Sequence, residues 1–363
     1  MTKNDCIARH TILGILIMKL TINNKEITAN NGETILEAAK RAGINIPTLC
    51  HHPNLSNYGG CRVCMVEIKG MNRFVASCTT PVADNMVVAT NTPNIRQSRK
   101  TVLELILSDH PNDCMTCDKT GDCTLQDLAY EYGVKENPYA GAIRQYPTED
   151  KNPYIIRDFS KCILCAKCTR VCDEVRGVGA IDIMKRGFYA KVATPFDGVL
   201  DCEFCGNCVD VCPVGSLTEK LAKGKGRGWE TRKVDTTCAY CGVGCGITLH
   251  IKDNTVIKVT PTKKESVNNG SLCVKGKFAY DFINSADRLK KPLIKKEGKF
   301  VEASWDEAID YTVKRLKEIK ERYGSDSIGG LSSARCTNEE NYIFQKFIRA
   351  GIGTNNVDHC ARY

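Results

Sequence analysis

Residues 162–172 read CILCAKCTRVC, and residues 202–213 read CEFCGNCVDVCP. Each stretch carries C-x2-C-x2-C-x3-C, so that Cys162, Cys165, Cys168 and Cys172 are echoed by Cys202, Cys205, Cys208 and Cys212, with Pro213 closing the second run. Thiolates at every third residue of a tight loop point inward toward three corners of a cubane. The fourth must come from elsewhere, because the chain then turns into a helix. The spacing therefore predicts two 4Fe–4S clusters that exchange their last ligand: Cys162, Cys165 and Cys168 with Cys212, and Cys202, Cys205 and Cys208 with Cys172. Zinc is the competing occupant. Structural zinc sites pair two C-x2-4-C units or add histidines, which a repeated triple run fits poorly. A disulfide framework fits less well still in a long chain with no secretory signal.

The same theme runs outward in both directions. Of 22 cysteines in 363 residues, nineteen fall into five spaced groups. Hydrophobic residues make up 42% of the chain, enough for several folded cores. The formal charge of +9 raises nucleic acid as a partner. However, an all-cysteine cluster carries about −2 and one with a histidine ligand about −1, so five clusters bring roughly −9. With no basic stripe interleaved by aromatics, no nucleic-acid partner is expected. No apolar run reaches the length of about eighteen residues that a membrane span needs, and abundant thiols imply a reducing, cytoplasmic setting. Residues 1–17 are either a tail or a mis-called start ahead of Met18, and Cys6 has no ligand role there.

Lys19 to Thr28 reads as a hairpin about Asn23-Asn24, and Thr34 to Arg41 as a short helix with Ile35, Leu36, Ala38 and Ala39 inward. Cys50, Cys61, Cys64 and Cys78 follow. A long gap, a C-x2-C pair and a distant last cysteine suit a flat 2Fe–2S rhomb, which needs two pairs of sulfurs. His51 and His52 are surface or supporting groups rather than ligands. Lys19 to Asn94 resembles the ferredoxin-like domain at the front of the complex I large subunit, iron-only hydrogenases and several formate dehydrogenases. That resemblance implies a β-grasp sheet with one packed helix and carries the ligand role onto these four cysteines.

Ile95 to Ser108 has the period of an amphipathic helix, with Ile95, Val102, Leu105 and Ile106 near one face. It delivers His110, Cys114, Cys117 and Cys123 in the pattern H-x3-C-x2-C-x5-C. A lone histidine there would ordinarily satisfy helix C-terminal carbonyls. The pattern, however, resembles the domain of those same families in which one histidine and three cysteines hold a 4Fe–4S cluster.

Beyond a basic glycine-rich linker, Lys223 to Trp229, come Cys238, Cys241, Cys245 and Cys273, a fifth set. Ile247 to Lys252 and Thr255 to Val259 alternate as strands about Asp253-Asn254. CAYCGVGCGITLHIKDNTVIKVTP with SLCVKGKF resembles the cluster domain of molybdenum or tungsten bis-pterin oxidoreductases, specifically formate dehydrogenases. In that family a lysine two residues after the last cysteine lies between cluster and pterin, and Lys275 occupies that place. From Pro292 the pattern turns α/β: a helix Trp305 to Arg322 with Ala308, Ile309, Val313, Leu316 and Ile319 at helical spacing, a strand Ile328 to Ser332, and a helix Asn338 to Ala350. The turn before that last helix, with Ala334, Arg335 and Cys336, suits a pyrophosphate, and the resemblance places the pterin dinucleotide there. A buried structural Cys336 is the alternative.

The resemblance runs on to GTNNVDHCARY, and in that family a metal-ligating selenocysteine or cysteine comes next. The expectation is the N-terminal part of a selenocysteine-type formate dehydrogenase catalytic subunit, stopped at the selenocysteine codon after Tyr363. The expected fold class is α+β multidomain. Its parts are a tail 1–17, a 2Fe–2S domain 18–94, a domain 95–134 for the histidine-ligated cluster, a two-cluster ferredoxin domain 150–222, a pterin-type 4Fe–4S domain 231–288 and an incomplete pterin-binding α/β domain 289–363. The implied activity is oxidation of formate to CO2, or the reverse. The implied cofactors are one 2Fe–2S cluster, four 4Fe–4S clusters and a Mo or W bis-molybdopterin guanine dinucleotide; the implied partners are flavin/NAD-binding or ferredoxin-linked electron-transfer subunits. Two other readings compete: an iron-only hydrogenase, which shares the first four clusters, and a stand-alone electron-transfer subunit resembling the complex I large subunit, whose twin-cubane segment is not usually a full ferredoxin pair.

Overall fold

The computed structural model describes residues 17–139 and 141–360. The expectations for residues 1–16, Cys6 among them, and for the position after Tyr363 lie outside these. The chain divides into two compact units, 1–202 with 207–220, and 203–206 with 221–363.

In the first unit, β1 (Ile17–Ile22) and β2 (Lys25–Asn30) form the predicted hairpin, and Asn23 and Asn24 take the left-handed backbone that its tight turn demands, at φ 50° and 64°. β3 (Met65–Ile68), β4 (Val75–Ala76) and β5 (Met86–Ala89) complete a mixed sheet of order β2-β1-β5-β3-β4, in which β1 and β5 run parallel. α1 (Ile35–Arg41) buries Ile35, Leu36, Ala38 and Ala39 in the same core as Leu20, Ile22, Val66 and Val88. Thr34 and Glu37 start it with a reciprocal cap, each side chain accepting the other's backbone N–H.

α2 (Pro93–Leu107) is present, but its buried face differs from the one expected. Ile95, Arg99, Leu103 and Glu104 are buried, whereas Leu105 is 51% exposed and Val102 and Ile106 are half-buried. The stripe runs i, i+4, i+8 through an arginine, so a purely apolar reading rotated it. α3 (Thr124–Glu131) follows, with Cys123 at its N-cap. β6 (Ile155–Arg157) pairs antiparallel with β9 (Leu217–Glu219), enclosing α4 (Lys167–Arg170), a π-helical turn Val171–Val175, the hairpin β7 (Asp182–Met184)–β8 (Lys191–Ala193) and α5 (Asn207–Val211).

In the second unit, β10 (Arg232–Thr237), β11 (Gly246–Lys252) and β12 (Thr255–Pro261) form an antiparallel sheet with the predicted turn at Asp253-Asn254. α6 (Val274–Phe278) packs against it. Then come a hairpin β13 (Leu293–Lys296)–β14 (Lys299–Glu302), α7 (Trp305–Tyr323), and a parallel pair β15 (Gly330–Ser333)–β16 (Val357–Cys360) joined through α8 (Asn338–Lys346). α8 ends earlier than its sequence period implied, because residues Phe347–Ile352 wind into a π-helical turn. α7 buries none of its residues; only Leu316 and Ile319 lean on the small core of Ile328, Ile348 and Ile352. Among the described residues no helix is long and apolar enough to cross a membrane.

Candidate metal centres

The first set hangs on the mixed sheet. Cys50 lies in the loop after α1, Cys61 and Cys64 precede β3, and Cys78 follows β4; Cys50, Cys64 and Cys78 are each 1% exposed. The sulfurs meet as two pairs. Cys64 Sγ lies 3.4 Å from Cys78 Sγ, and Cys50 shares a hydrogen bond with Cys61. Within each pair that bond, acting against burial, draws one sulfur toward thiolate (Cys50 to about 5, Cys64 to about 6) and drives its partner up. Two pairs of sulfurs are what a 2Fe–2S rhomb takes, one pair to each iron, so the donor set fits. The frame is stiff. Ser77 N–H and Oγ–H both donate to the Cys64 carbonyl, and the buried Arg99 donates to the carbonyls of Val63 and Met65. His51 and His52 are half-buried, and desolvation lowers both below the ordinary histidine range.

Cys168 lies on α4 itself, and Cys162 and Cys165 lie on the loop into it. Leu164 and Ala166 take left-handed φ of 52° and 56° there, which turns the loop around its own sulfurs. Phe204 and Gly206 repeat this in the 202–208 loop, at 52° and 75°. Burial raises the Cys162 and Cys168 thiols and pushes Cys165 up to about 12, and the charge of Cys212 adds to all three. The structure thus gathers Cys162, Cys165, Cys168 and Cys212. Such thiols do not ionise unaided; a cationic cluster would hold them as thiolates. Of the other set, Cys172 sits on the π-helical turn, Cys208 on α5, and Cys202 and Cys205 in the loop before it.

His110 follows α2; its backbone N–H donates to the Leu107 carbonyl at 3.2 Å, while its side-chain Nδ1 is buried with no hydrogen-bond partner. Burial lowers its pKa, favouring the neutral imidazole that coordinates metal. Cys123 is buried and Cys117 half-buried, both raised by burial; Cys123 also feels Cys117, and Cys117 feels Cys114, which is exposed. Lys161 reaches this site, its Nζ 2.8 Å from Asp113 and 3.1 Å from Asp158. Gly215 passes so close that a Cβ there would lie 2.5 Å from Cys117 Sγ. An orphaned buried nitrogen that shares Lys161 and Asp113 as neighbours with Cys117 suits a cluster with one imidazole ligand. Among the described residues no three side chains of His, Cys, Asp and Glu close on one point as a single metal ion needs.

In the second unit, Cys238 N–H donates to the Cys245 carbonyl at 2.8 Å, and Cys273 caps the start of α6. Burial raises Cys238 and Cys245, each of which also feels Cys241 and Cys273, so the fifth set is gathered too, in a more open setting. Lys275 is exposed on α6, whereas Lys277 is fully buried with Nζ 2.7 Å from the Val259 carbonyl. Ala334 accepts from Gly242 N–H at 3.3 Å, and Arg335 is exposed while Cys336 is half-buried. The N-terminus of α8 is already capped by Thr337 and Glu340, with Glu339 and Glu340 in its first turn. That acidic, self-capped terminus is a poor cradle for pyrophosphate.

Sequence reasoning passed over the basic residues threaded through the ligand sets: Arg99, Arg144, Lys161, Lys167, Arg170 and Lys277. A signal existed, since Lys161 and Lys167 directly precede Cys162 and Cys168.

Five family models match the chain: a 2Fe-2S iron-sulfur cluster binding domain (18–93), the NADH-ubiquinone oxidoreductase-G iron-sulfur binding region (99–138), the ferredoxin-like domain of NADH-quinone oxidoreductase subunit 3 (152–218), the molybdopterin oxidoreductase Fe4S4 domain (231–285) and molybdopterin oxidoreductase (288–363). The second G-type subunit of NADH-quinone oxidoreductase from Rhizobium meliloti is 40% identical over 350 residues, covering 96% of this chain and 40% of that protein. The NADPH-Fe(3+) oxidoreductase subunit alpha of Geobacter sulfurreducens is 40% identical over 346 residues, covering 95% and 40%. The chain thus spans about two fifths of the length of these relatives. A chain of the NAD+-reducing NiFe-hydrogenase, solved in the H2-reduced state, is similar at 33% identity and TM-score 0.54, covering 58% of this chain and 90% of that one.

These relatives overturn the expectation of a formate dehydrogenase, and with it that of a selenocysteine after Tyr363. The motifs behind it are built to hold clusters, and a cluster does not record which substrate supplies its electrons; the complex I-like reading fits better. By its similarities the chain belongs to the iron–sulfur electron-transfer module shared by the G-type subunits of NADH-quinone oxidoreductase and the NAD+-reducing hydrogenase.

Proposed function

We propose that this chain is a multi-cluster conduit that carries electrons from an NADH- or NADPH-oxidising partner subunit. The reading assigns a 2Fe–2S cluster to Cys50, Cys61, Cys64 and Cys78. It assigns 4Fe–4S clusters to His110 with Cys114, Cys117 and Cys123, to the two exchanged sets around Cys162 and Cys202, and to Cys238, Cys241, Cys245 and Cys273. The domain boundaries follow these sets. The observation that carries the reading is the paired packing of the four N-terminal sulfurs, with Cys64 and Cys78 at 3.4 Å. Bound clusters would take up and release electrons singly.

The chain's own residues do the rest. Burial strips water from Cys168 and Cys64. Arg144 donates to Asp109, beside His110, and to the Cys162 carbonyl at 3.2 Å, tying two ligand sets together. Lys161 lends positive charge beside Cys117. Since the turn at Ala334, Arg335 and Cys336 is a poor anion cradle, no step is assigned to a pterin or to Lys275. A reducing, cytoplasmic setting suits so many thiolates.

The test is anaerobic reconstitution of the chain with iron and sulfide. About eighteen irons per chain, with the reduced 2Fe–2S and 4Fe–4S spin signals, is the expected result. Zinc bound in place of iron and sulfide would sink the reading.

A further inference from the structure

We infer that Arg170 and Glu174 form a strap, built from the first cubane's ligand helix, that fixes the 2Fe–2S ligand loop at a set spacing from the Cys162–Cys168 loop. The inference rests on the cluster reading above and adds positioning residues to it. The two residues lie one turn apart just beyond Cys168, so they point along one face. Arg170 Nη2–H donates to the Cys50 carbonyl at 2.6 Å, its Nη1 donates to the Ser56 carbonyl, and its guanidinium lies 5.3 Å from the Tyr58 ring centre. Glu174 accepts from Ser56 twice, from the backbone N–H at 2.7 Å and from Oγ–H at 2.6 Å.

Both partners are therefore bound to one nine-residue loop, 50–58, whose first residue is itself a ligand. Arg170 is also anchored at its root, its Nε–H donating to the Ala166 carbonyl at 3.1 Å inside the first cubane's loop. One side chain thus bridges the carbonyls of two ligand loops. The half-buried Lys167 feels Cys165 and Cys212 of one sulfur set and Cys50 and Cys61 of the other, so both sets lie near α4. The contacts are charge-assisted and directional, the kind that hold geometry rather than merely add stability. The strap takes no electron or proton itself; it sets a distance.

The experiment uses the full chain reconstituted with iron and sulfide, alongside Ser56→Ala, Glu174→Ala, their double variant and Arg170→Gln. Ser56 and Glu174 are exposed, so their variants keep the fold. Two readouts are taken at unchanged iron content: amide exchange of residues 50–58, and broadening of the 2Fe–2S spin signal by the neighbouring reduced cubane. Glu174→Ala is expected to raise exchange in the loop about tenfold and to weaken the broadening, with Ser56→Ala smaller and the double variant no worse than Glu174→Ala. Unaltered exchange and broadening, or additive effects in the double variant, would overturn the strap. A chain that binds no 2Fe–2S cluster would instead overturn the functional reading, and amide exchange alone would still judge the strap.

Discussion

The N-terminal and C-terminal regions use the same parts under opposite conditions. Cys50, Cys64 and Cys78 are sealed at 1% exposure, while Cys273 is exposed and Cys238, Cys241 and Cys245 are half-buried. α2 and α7 are both amphipathic and both begin under a hydroxyl cap, from Thr92 and Ser304, yet α2 buries Ile95, Arg99, Leu103 and Glu104 and α7 buries nothing. In the first region, ligand set and core are one object, so losing one loosens the other. In the second, the ligand loop is braced by a hairpin, and Cys238 and Cys245 only edge a small core of Ile247, Val256, Val259, Leu272 and Tyr280.

The sharpest way to break this comparison is to remove one thiol from each side. Cys64→Ser should cost about two irons and also lower the unfolding temperature of the N-terminal region. Cys273→Ser should cost about four irons and leave unfolding nearly unchanged. Iron assay with a thermal melt reads both, and equal melts would refute the contrast. Next in size is Arg99→Ala. It frees the carbonyls of Val63 and Met65 and the Tyr132 hydroxyl together, and at about 1–3 kcal/mol for each buried group left unsatisfied should destabilise by about 2–5 kcal/mol in denaturant unfolding.

A packing pair follows. Leu103→Ala should cost about 3 kcal/mol, as expected for a fully buried leucine. Ile309→Ala, on a residue 55% exposed, should cost below about 0.5 kcal/mol. The smallest effect is electrostatic. Burial pushes Glu33 up, but hydrogen bonds from Arg41 and the Asn30 N–H outweigh it and hold the carboxyl below its usual range. A carboxyl lowered by folding stabilises above the unfolded-state value, and that contribution disappears as pH falls through the folded one. Arg41→Gln should therefore lose no more than about 1 kcal/mol at neutral pH, with the part that depends on Glu33 fading as acid protonates that carboxyl while the lost bond to the Thr28 carbonyl remains. A gap that did not narrow in acid would exclude the ion pair as a cause.

Much of this was legible because the chemistry is local. The cysteine spacings, the Asn23-Asn24 and Asp253-Asn254 turns and the inward face of α1 depend on neighbours a few residues apart. What escaped were the contacts made by long cationic side chains. Arg99 hid the true face of α2, because a buried arginine scores as polar although its three bonds make it a core residue. Arg170 escaped because its partners lie 114 and 120 positions away. The stripe on α7 has helical spacing, yet amphipathic period says only that a face suits burial, not that anything within these residues covers it. The substrate reading failed differently: motifs shared across a module name the module.

The left-handed turns at Leu164 and Ala166 bear on how iron is delivered. L-residues resist that conformation, and here the protein's own bonds hold it: the Ala166 carbonyl accepts from Arg170 N–H and Nε–H and from Thr169 Oγ–H. The strained turn is thus secured by three donors from its own helix and not by the thiols alone, so removing one of them, as in Thr169→Val, should loosen the Cys162–Cys168 loop and slow its loading with iron and sulfide.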